Sequence, residues 1–118
     1  MTNSTKSIYR IHWLDQKIPI LKNNTIRLVV EDTVDKSWWM ATRGPLYVIH
    51  YFPLTEKHVT YDLSKAQKNV HGSLPGPVNT IRIIKGKPVL CTRFGAWQIE
   101  ELANRILSLP TVSRLRGA

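Results

Sequence analysis

Hydrophobic and polar residues alternate with a period of two through most of the chain up to Phe94. Alternation of this kind is typical of β-strands that bury one face. It predicts strands over 8–14, 26–31, 38–42, 46–52 and 59–63. The segment Arg43-Gly44-Pro45 breaks the pattern between the third and fourth strands, so we expect these two to form a hairpin. Trp38 and Trp39 are adjacent in a strand and must therefore point to opposite faces.

A further hairpin is predicted over 80–94, around a basic turn at residues 85–88. With a turn of four residues, Ile84 pairs with Val89. Arg82 and Arg93 then project from one face, and the opposite face is apolar. The predicted core face of this hairpin consists of Ile81, Ile83, Leu90 and Phe94. The hairpin therefore combines a core face with a cationic face.

After Phe94 the hydrophobic spacing changes. A stripe at helical spacing predicts an α-helix over 96–109 that Pro110 ends, and it consists of Ile99, Leu102, Ala103, Ile106 and Leu109. Trp97 lies nearly opposite the stripe. Its ring is either exposed beside the basic hairpin or folded back on Phe94 and buried, and we expect burial.

Together these segments predict an α+β fold. It is a curved antiparallel β-sheet, or a partly closed small barrel, of about five to seven strands with one C-terminal α-helix packed on it. The chain of 118 residues fits one domain over 1–118. We expect residues 1–7 and 111–118 to be flexible tails.

The charge of the chain is strongly unbalanced. It has 17 Lys and Arg against 8 Asp and Glu, a formal net charge of +9. No acid lies between Asp62 and Glu100, while the cations of that segment are Lys65, Lys68, Arg82, Lys85, Lys87 and Arg93. An excess of positive charge steers polyanions, so this segment predicts nucleic acid as the partner.

We therefore predict a nucleic-acid-binding protein without catalytic activity. Lys65, Lys68 and the four cations of the hairpin contact phosphate, and Trp38 or Trp39 stacks on unpaired bases. The chain has no helix-turn-helix pattern, which favours single-stranded, shape or backbone contacts over base reading in a groove. The choice between DNA and RNA stays open, and so does binding to a protein partner or to a second copy of the chain.

Two alternatives have other chemistry. The first is a structural or accessory subunit of a larger protein or nucleoprotein assembly, in which the tryptophans are buried against a partner. The second is a small nuclease that uses two of the four histidines, His12, His50, His58 and His71. The histidines lack metal-ligand spacing and Cys91 is alone, so we predict no metal and no cofactor.

Hydrophobic residues make up 42% of the chain, but no apolar run approaches the 20 or so residues of a membrane span. The first seven residues are polar and lack the apolar centre of a secretory signal. A single cysteine agrees with a reducing compartment. These features predict a cytoplasmic protein that does not contact membranes.

Overall fold

The computed structural model describes Leu14 and residues 17–110. This part of the chain contains two short 3₁₀-helices, Pro19–Lys22 and Leu63–Lys65, and eight β-strands. No helix among the described residues is long and apolar enough to cross a membrane. The strands are β1 (Ile26–Glu31), β2 (Trp38–Thr42), β3 (Tyr47–Phe52), β4 (Lys57–Asp62), β5 (Val78–Ile84), β6 (Lys87–Thr92), β7 (Gly95–Glu100) and β8 (Arg105–Ser108).

The eight strands form two separate antiparallel sheets. The first sheet has the order β1-β2-β3-β4 and the second has the order β5-β6-β7-β8, so each is a meander. Alternate residues of both sheets point into one shared hydrophobic cluster. The fully buried members of this cluster include Trp39, Ala41 and Val48 from the first sheet and Val78, Leu90, Trp97 and Ile99 from the second. The two inward faces therefore pack against each other.

The outward face of the first sheet has its own cover. Leu14, Ile18 and Leu21 precede the first strand and are buried on this face, against Met40, Ile49 and Tyr51. Trp38 packs at the edge of the same cluster, whereas Trp39 lies in the core between the sheets. The prediction that the two rings point to opposite sides of their strand is therefore confirmed.

Two contacts between the sheets show how their ends align. At one end, the Arg27 Nε atom of β1 donates to the Val78 carbonyl of β5 over 2.8 Å. At the other end, His50 of β3 and Glu101 after β7 lie 2.7 Å apart. Because a meander reverses at every strand, the turns at 32–37, 53–56, 85–86 and 101–104 share the second of these ends. The turns at 43–46 and 93–94 and the connection 63–77 share the first.

The predicted C-terminal helix is wrong, because residues 95–108 form the hairpin of β7 and β8. Trp97, Ile99 and Ile106 alternate inward with the period of strands and are buried in the core. Leu102, at the centre of the expected helical stripe, is fully exposed in the turn. Asn104 ends this turn with a φ of 52°, a left-handed conformation that Asn tolerates well. The burial predicted for Trp97 is confirmed in a different element.

The predicted single curved sheet or partly closed barrel is also wrong. The structure has eight strands in two open sheets, and it contains no closed barrel among the described residues. The connection 63–77 carries the chain from β4 of the first sheet to β5 of the second, which lies at the far edge. The predicted tails and the strand over 8–14 lie outside the described residues, apart from Leu14. Leu14 accepts a backbone hydrogen bond from Ile18 at 2.8 Å, as in a helical turn.

The basic hairpin of β5 and β6 exists, but its register differs from the prediction. Its turn has two residues, Lys85 and Gly86, with φ of 51° and 79°, and Ile84 pairs with Lys87. Two residues with positive φ are typical of the tight turn that fits the twist of a hairpin. The pairing differs by two residues, so the predicted faces are kept, with Ile81 and Leu90 inward and Arg82 outward.

Candidate functional site

Charge is distributed unequally between the two ends of the sheets. Within the described part of the chain, six of the seven acids lie at the end that contains the turns 32–37, 53–56, 85–86 and 101–104, which we call the mixed end. These acids are Glu31, Asp32, Asp35, Glu56, Glu100 and Glu101. The mixed end also contains lysines, so its charges are of both signs. The seventh acid, Asp62, lies at the opposite end.

The opposite end is strongly positive. We call its five exposed cations the basic end, and they are Arg27, Arg43, Lys65, Lys68 and Arg93. They come from both sheets and from the connection 63–77. The carboxylate of Asp62 accepts hydrogen bonds from the backbone N–H and the hydroxyl of the nearby Ser64. These bonds, the hydroxyl first, lower the pKa of Asp62. The basic end therefore attracts anions with little internal compensation.

Hydrogen bonds hold the connection 63–77 against the second sheet. The backbone of Gln67 donates to the Ile106 carbonyl over 2.9 Å, and its side chain accepts from Ser108 over 2.9 Å. The indole of Trp97 donates to the Gln67 carbonyl over 2.7 Å. Asn69 donates to the Phe94 carbonyl over 2.9 Å. Lys68 lies between these two anchored residues and is thereby held next to the turn that carries Arg93.

An exposed aromatic ring lies among these cations. Phe94 is 46% exposed, and the Arg93 guanidinium lies 5.4 Å from the centre of its ring. The ring packs closely on Gly76, where an added Cβ would lie 3.1 Å from Cε2. A cleft of about 250 Å³ opens beside Phe94, lined by residues 69–71, 93–96 and 108–110. The basic end thus combines positive charge, an accessible ring and a recess.

The structure separates the six cations predicted to bind phosphate. Lys65, Lys68 and Arg93 lie at the basic end, whereas Lys85 and Lys87 lie at the mixed end. Arg82 projects from the outward face of the second sheet, between the two ends. All six are exposed, but they do not form one surface.

The sequence prediction missed two cations of the basic end and the exposed ring beside them. Arg27 and Arg43 lie outside the acid-free segment, and Phe94 was placed in the core. Only a correct count of the strands could have grouped these three residues, because the order of the turns decides which loops lie at the same end of the sheets.

Neither tryptophan predicted to stack on bases offers an open ring. Trp39 is 2% exposed, with one face stacked on His50 at a centroid distance of 3.8 Å. Trp38 is half-buried and packs beside Tyr51, with ring centres 5.7 Å apart. A base cannot reach the Trp39 ring while the sheets remain packed. Among the described aromatic residues, Phe94 is the most accessible alternative.

A second constellation links the sheets at the mixed end. His50 is buried, with Nε2 2.7 Å from the Ser37 Oγ and Nδ1 2.7 Å from a carboxylate oxygen of Glu101. The Ser37 hydroxyl in turn donates to Asp35 over 2.6 Å. We call these four residues the His50 network. Serine, histidine and a carboxylate in this order resemble the donor set of hydrolytic triads.

The His50 network is not arranged for catalysis. Ser37 is 1% exposed, so a substrate cannot reach its hydroxyl. Because this hydroxyl donates to Asp35, its oxygen is left to accept a hydrogen bond from His50. In a catalytic triad the serine hydroxyl donates to the histidine instead. His50 belongs to the first sheet and Glu101 follows β7 of the second, so the 2.7 Å contact between them spans the two sheets. The network therefore joins the two sheets and does not activate a nucleophile.

The described histidines do not form a pair that could act together on a phosphodiester. His50 lies opposite Val59 on the neighbouring strand, so His58 projects from the other face of the first sheet. His71 is exposed in the connection 63–77, at the end away from His50. His12 lies outside the described residues. The geometry gives the nuclease alternative no site among the residues described.

Hydrogen bonds from Ser37, its hydroxyl first, lower the pKa of Asp35 below the ordinary 3.8. A lowered carboxyl pKa adds stability that is complete above the ordinary value and is lost as the pH falls through the folded one. We expect Asp35→Asn to lose less stability than the parent between pH 5 and pH 3, as measured by urea unfolding. An unchanged acid dependence in this variant would contradict the role of Asp35.

Comparisons with known proteins give no functional guidance for this chain. No family model, no curated protein and no solved structure matches it. Function must therefore be argued from the basic end, the mixed end and the His50 network.

Proposed function

We infer that the protein binds nucleic acid through its basic end and does not catalyse a reaction on it. The separation of charge supports this inference. Five exposed cations share one end of the sheets, and among the described residues Asp62 is the only acid at that end. Lys and Arg at such a site neutralise phosphates and release counterions. The presence of five exposed cations at one end is the observation on which the proposal rests.

The ligand that suits this end best is a single strand. Lys65, Lys68 and Arg93 contact successive phosphates, and Phe94 offers a face on which an unpaired base stacks, worth about 1–3 kcal/mol per base. The guanidinium of Arg93 can leave the ring for a phosphate as the base arrives. The cleft of about 250 Å³ beside Phe94 gives the base a recess. A base inside a duplex is stacked on its neighbours and does not present such a face.

The basic hairpin has a secondary role in this proposal. Lys85 and Lys87 lie at the mixed end, near the acids at 100 and 101. The carboxylates of Glu100 and Glu101 reduce the positive electrostatic potential around these two lysines. Arg82 lies between the two ends, on the outward face of the second sheet, where it contacts a further phosphate of the same strand. We therefore assign most of the affinity to the basic end.

A structural or accessory role in a larger assembly is the second candidate. Exposed hydrophobic side chains at the mixed end favour it. The two roles use opposite ends of the molecule and can coexist.

The proposal is tested with a labelled single-stranded oligonucleotide and neutralising substitutions. We expect Lys68→Ala/Arg93→Ala to weaken binding by roughly tenfold or more and to reduce the slope of log affinity against log salt by about 0.7 per lost contact. Fluorescence anisotropy over a salt series measures both quantities.

The matched control is Lys85→Ala/Lys87→Ala, which removes the same charge at the mixed end. We expect a smaller loss of affinity in this control. A parent protein that does not bind the oligonucleotide even at low salt would refute the proposed function. Equal losses in the two variants would remove the basic end as its location.

A further inference from the structure

The mixed end presents hydrophobic side chains as well as charges. Four of the eight large hydrophobic residues that are exposed in the described chain lie there, within or beside its four turns. They are Val34, Leu54, Ile84 and Leu102, and three of them are exposed by 90% or more. Single exposed hydrophobic residues are normal on a protein surface, whereas a group at one end calls for a partner.

The strand order places these four residues at the same end of the molecule. Val34 and Leu54 follow the first and third strands of one sheet, Ile84 ends the first strand of the other sheet, and Leu102 follows its third. Neighbouring strands lie about 4.8 Å apart and packed sheets about 10 Å apart. The strand ends beside these residues therefore lie roughly 10 Å apart, both within each sheet and between the sheets.

An apolar groove lies at the same end of the molecule. It has a volume of about 360 Å³ and runs between the turns of the second sheet, with Pro88, Ile99 and Ala103 among its lining residues. Leu102 forms one wall, and Lys87 and Glu100 lie at its border. A groove of this kind receives an aliphatic side chain that projects from a partner.

The charges of the mixed end indicate which partner fits. Its six acids are accompanied by Lys36, Lys57, Lys85, Lys87 and Arg105, so this end carries almost no net charge and two copies can meet there without net repulsion. Two basic ends, in contrast, repel. Anionic lipid is disfavoured by the acids, and none of the four exposed positions carries the Trp or Tyr that is enriched at lipid interfaces.

We propose that the mixed end is a self-association surface, at which a second copy of this chain docks end to end. In a two-fold contact, Leu54 of each copy enters the groove that Leu102 of the other copy lines. The two basic ends then point in opposite directions, and each is free to bind its own ligand. The contact is small, so the dimer is weak and reversible.

Sedimentation equilibrium of the full chain, without nucleic acid, tests this surface. We expect the average mass to rise from 13.6 kDa toward twice that value between about 10 μM and about 1 mM. Leu54→Glu/Leu102→Glu should weaken association by at least about tenfold. The matched control is Val70→Glu, an equally exposed aliphatic residue at the opposite end, and it should associate like the parent.

Circular dichroism melting confirms that the variants fold, and the concentration series of the parent needs no variant. A parent that stays at 13.6 kDa up to about 1 mM would overturn the proposal. The proposal would also be overturned if Val70→Glu weakened association as much as the double variant does. Co-sedimentation of a monomeric parent with phosphatidylcholine vesicles would overturn it in favour of a lipid surface. None of these outcomes depends on nucleic-acid binding.

Discussion

Trp97→Ala should reduce the free energy of unfolding by about 3–5 kcal/mol, the usual cost of removing a large buried aromatic side chain. The ring is completely buried between the sheets, and its indole is bonded to the Gln67 carbonyl. The substitution leaves a cavity and removes the partner of a carbonyl that anchors the connection 63–77. A loss of this size is a large part of the total stability of a small protein. Urea unfolding at neutral pH measures it.

Two further substitutions make the Trp97 experiment specific. Trp97→Phe keeps most of the packing and loses the indole donor, so it should cost about 1–3 kcal/mol. Phe94→Ala removes a half-exposed ring and should change stability by less than about 1 kcal/mol, while it weakens oligonucleotide binding. Equal stability losses at positions 94 and 97 would contradict the described core.

The wrong helix shows where the hydrophobic pattern is ambiguous. Ile99 and Ile106 are seven residues apart, which is two turns of a helix. The same residues face each other across the hairpin of β7 and β8, since a four-residue turn brings residues 99 and 106 into register. A seven-residue spacing therefore fits both elements. The turn formed by residues 101–104 distinguishes the hairpin from the helix. Its sequence signal is weak, because it rests on the tendency of Asn104 to adopt a positive φ.

The basic hairpin shows which errors are harmless. The predicted turn has four residues, whereas the observed turn has two, Lys85 and Gly86. Side chains in a strand alternate with a period of two, so a change of two residues in the turn keeps every face. Arg82 was therefore correctly placed on the outward face. Arg93 was not, because it lies in the next turn and not in the strand.

The location of charge could not be predicted without the strand count. In a meander, successive turns lie at opposite ends, so residues that share an end are separated in sequence by whole hairpins. Asp35, Glu56 and Glu101 belong to three different turns of the mixed end. The acid-free segment between Asp62 and Glu100 looked continuous, but its cations are divided between both ends. Composition was the basis for proposing nucleic acid as the partner, whereas the strand order locates the positive surface.

His50→Leu should lower the free energy of unfolding by about 2–3 kcal/mol. Removing one partner of a buried hydrogen bond costs about 1–3 kcal/mol. Glu101 is partly exposed, so water can solvate the carboxylate that is left behind. The variant also removes the ring that stacks on Trp39 and the donor that faces Ser37. The matched control is His58→Leu, on the adjacent strand and the opposite face, which should change stability by less than about 1 kcal/mol.

A double-mutant cycle isolates the bond between the sheets. His50→Leu, Glu101→Ala and the double variant are compared by urea unfolding at pH 6, and we expect a coupling energy of about 1–2 kcal/mol. Coupling of this size means that His50 and Glu101 hold the two meanders together at the mixed end, since each belongs to a different sheet. If the two single effects add to within about 0.5 kcal/mol, the interaction contributes nothing and the sheets are joined by the hydrophobic core alone.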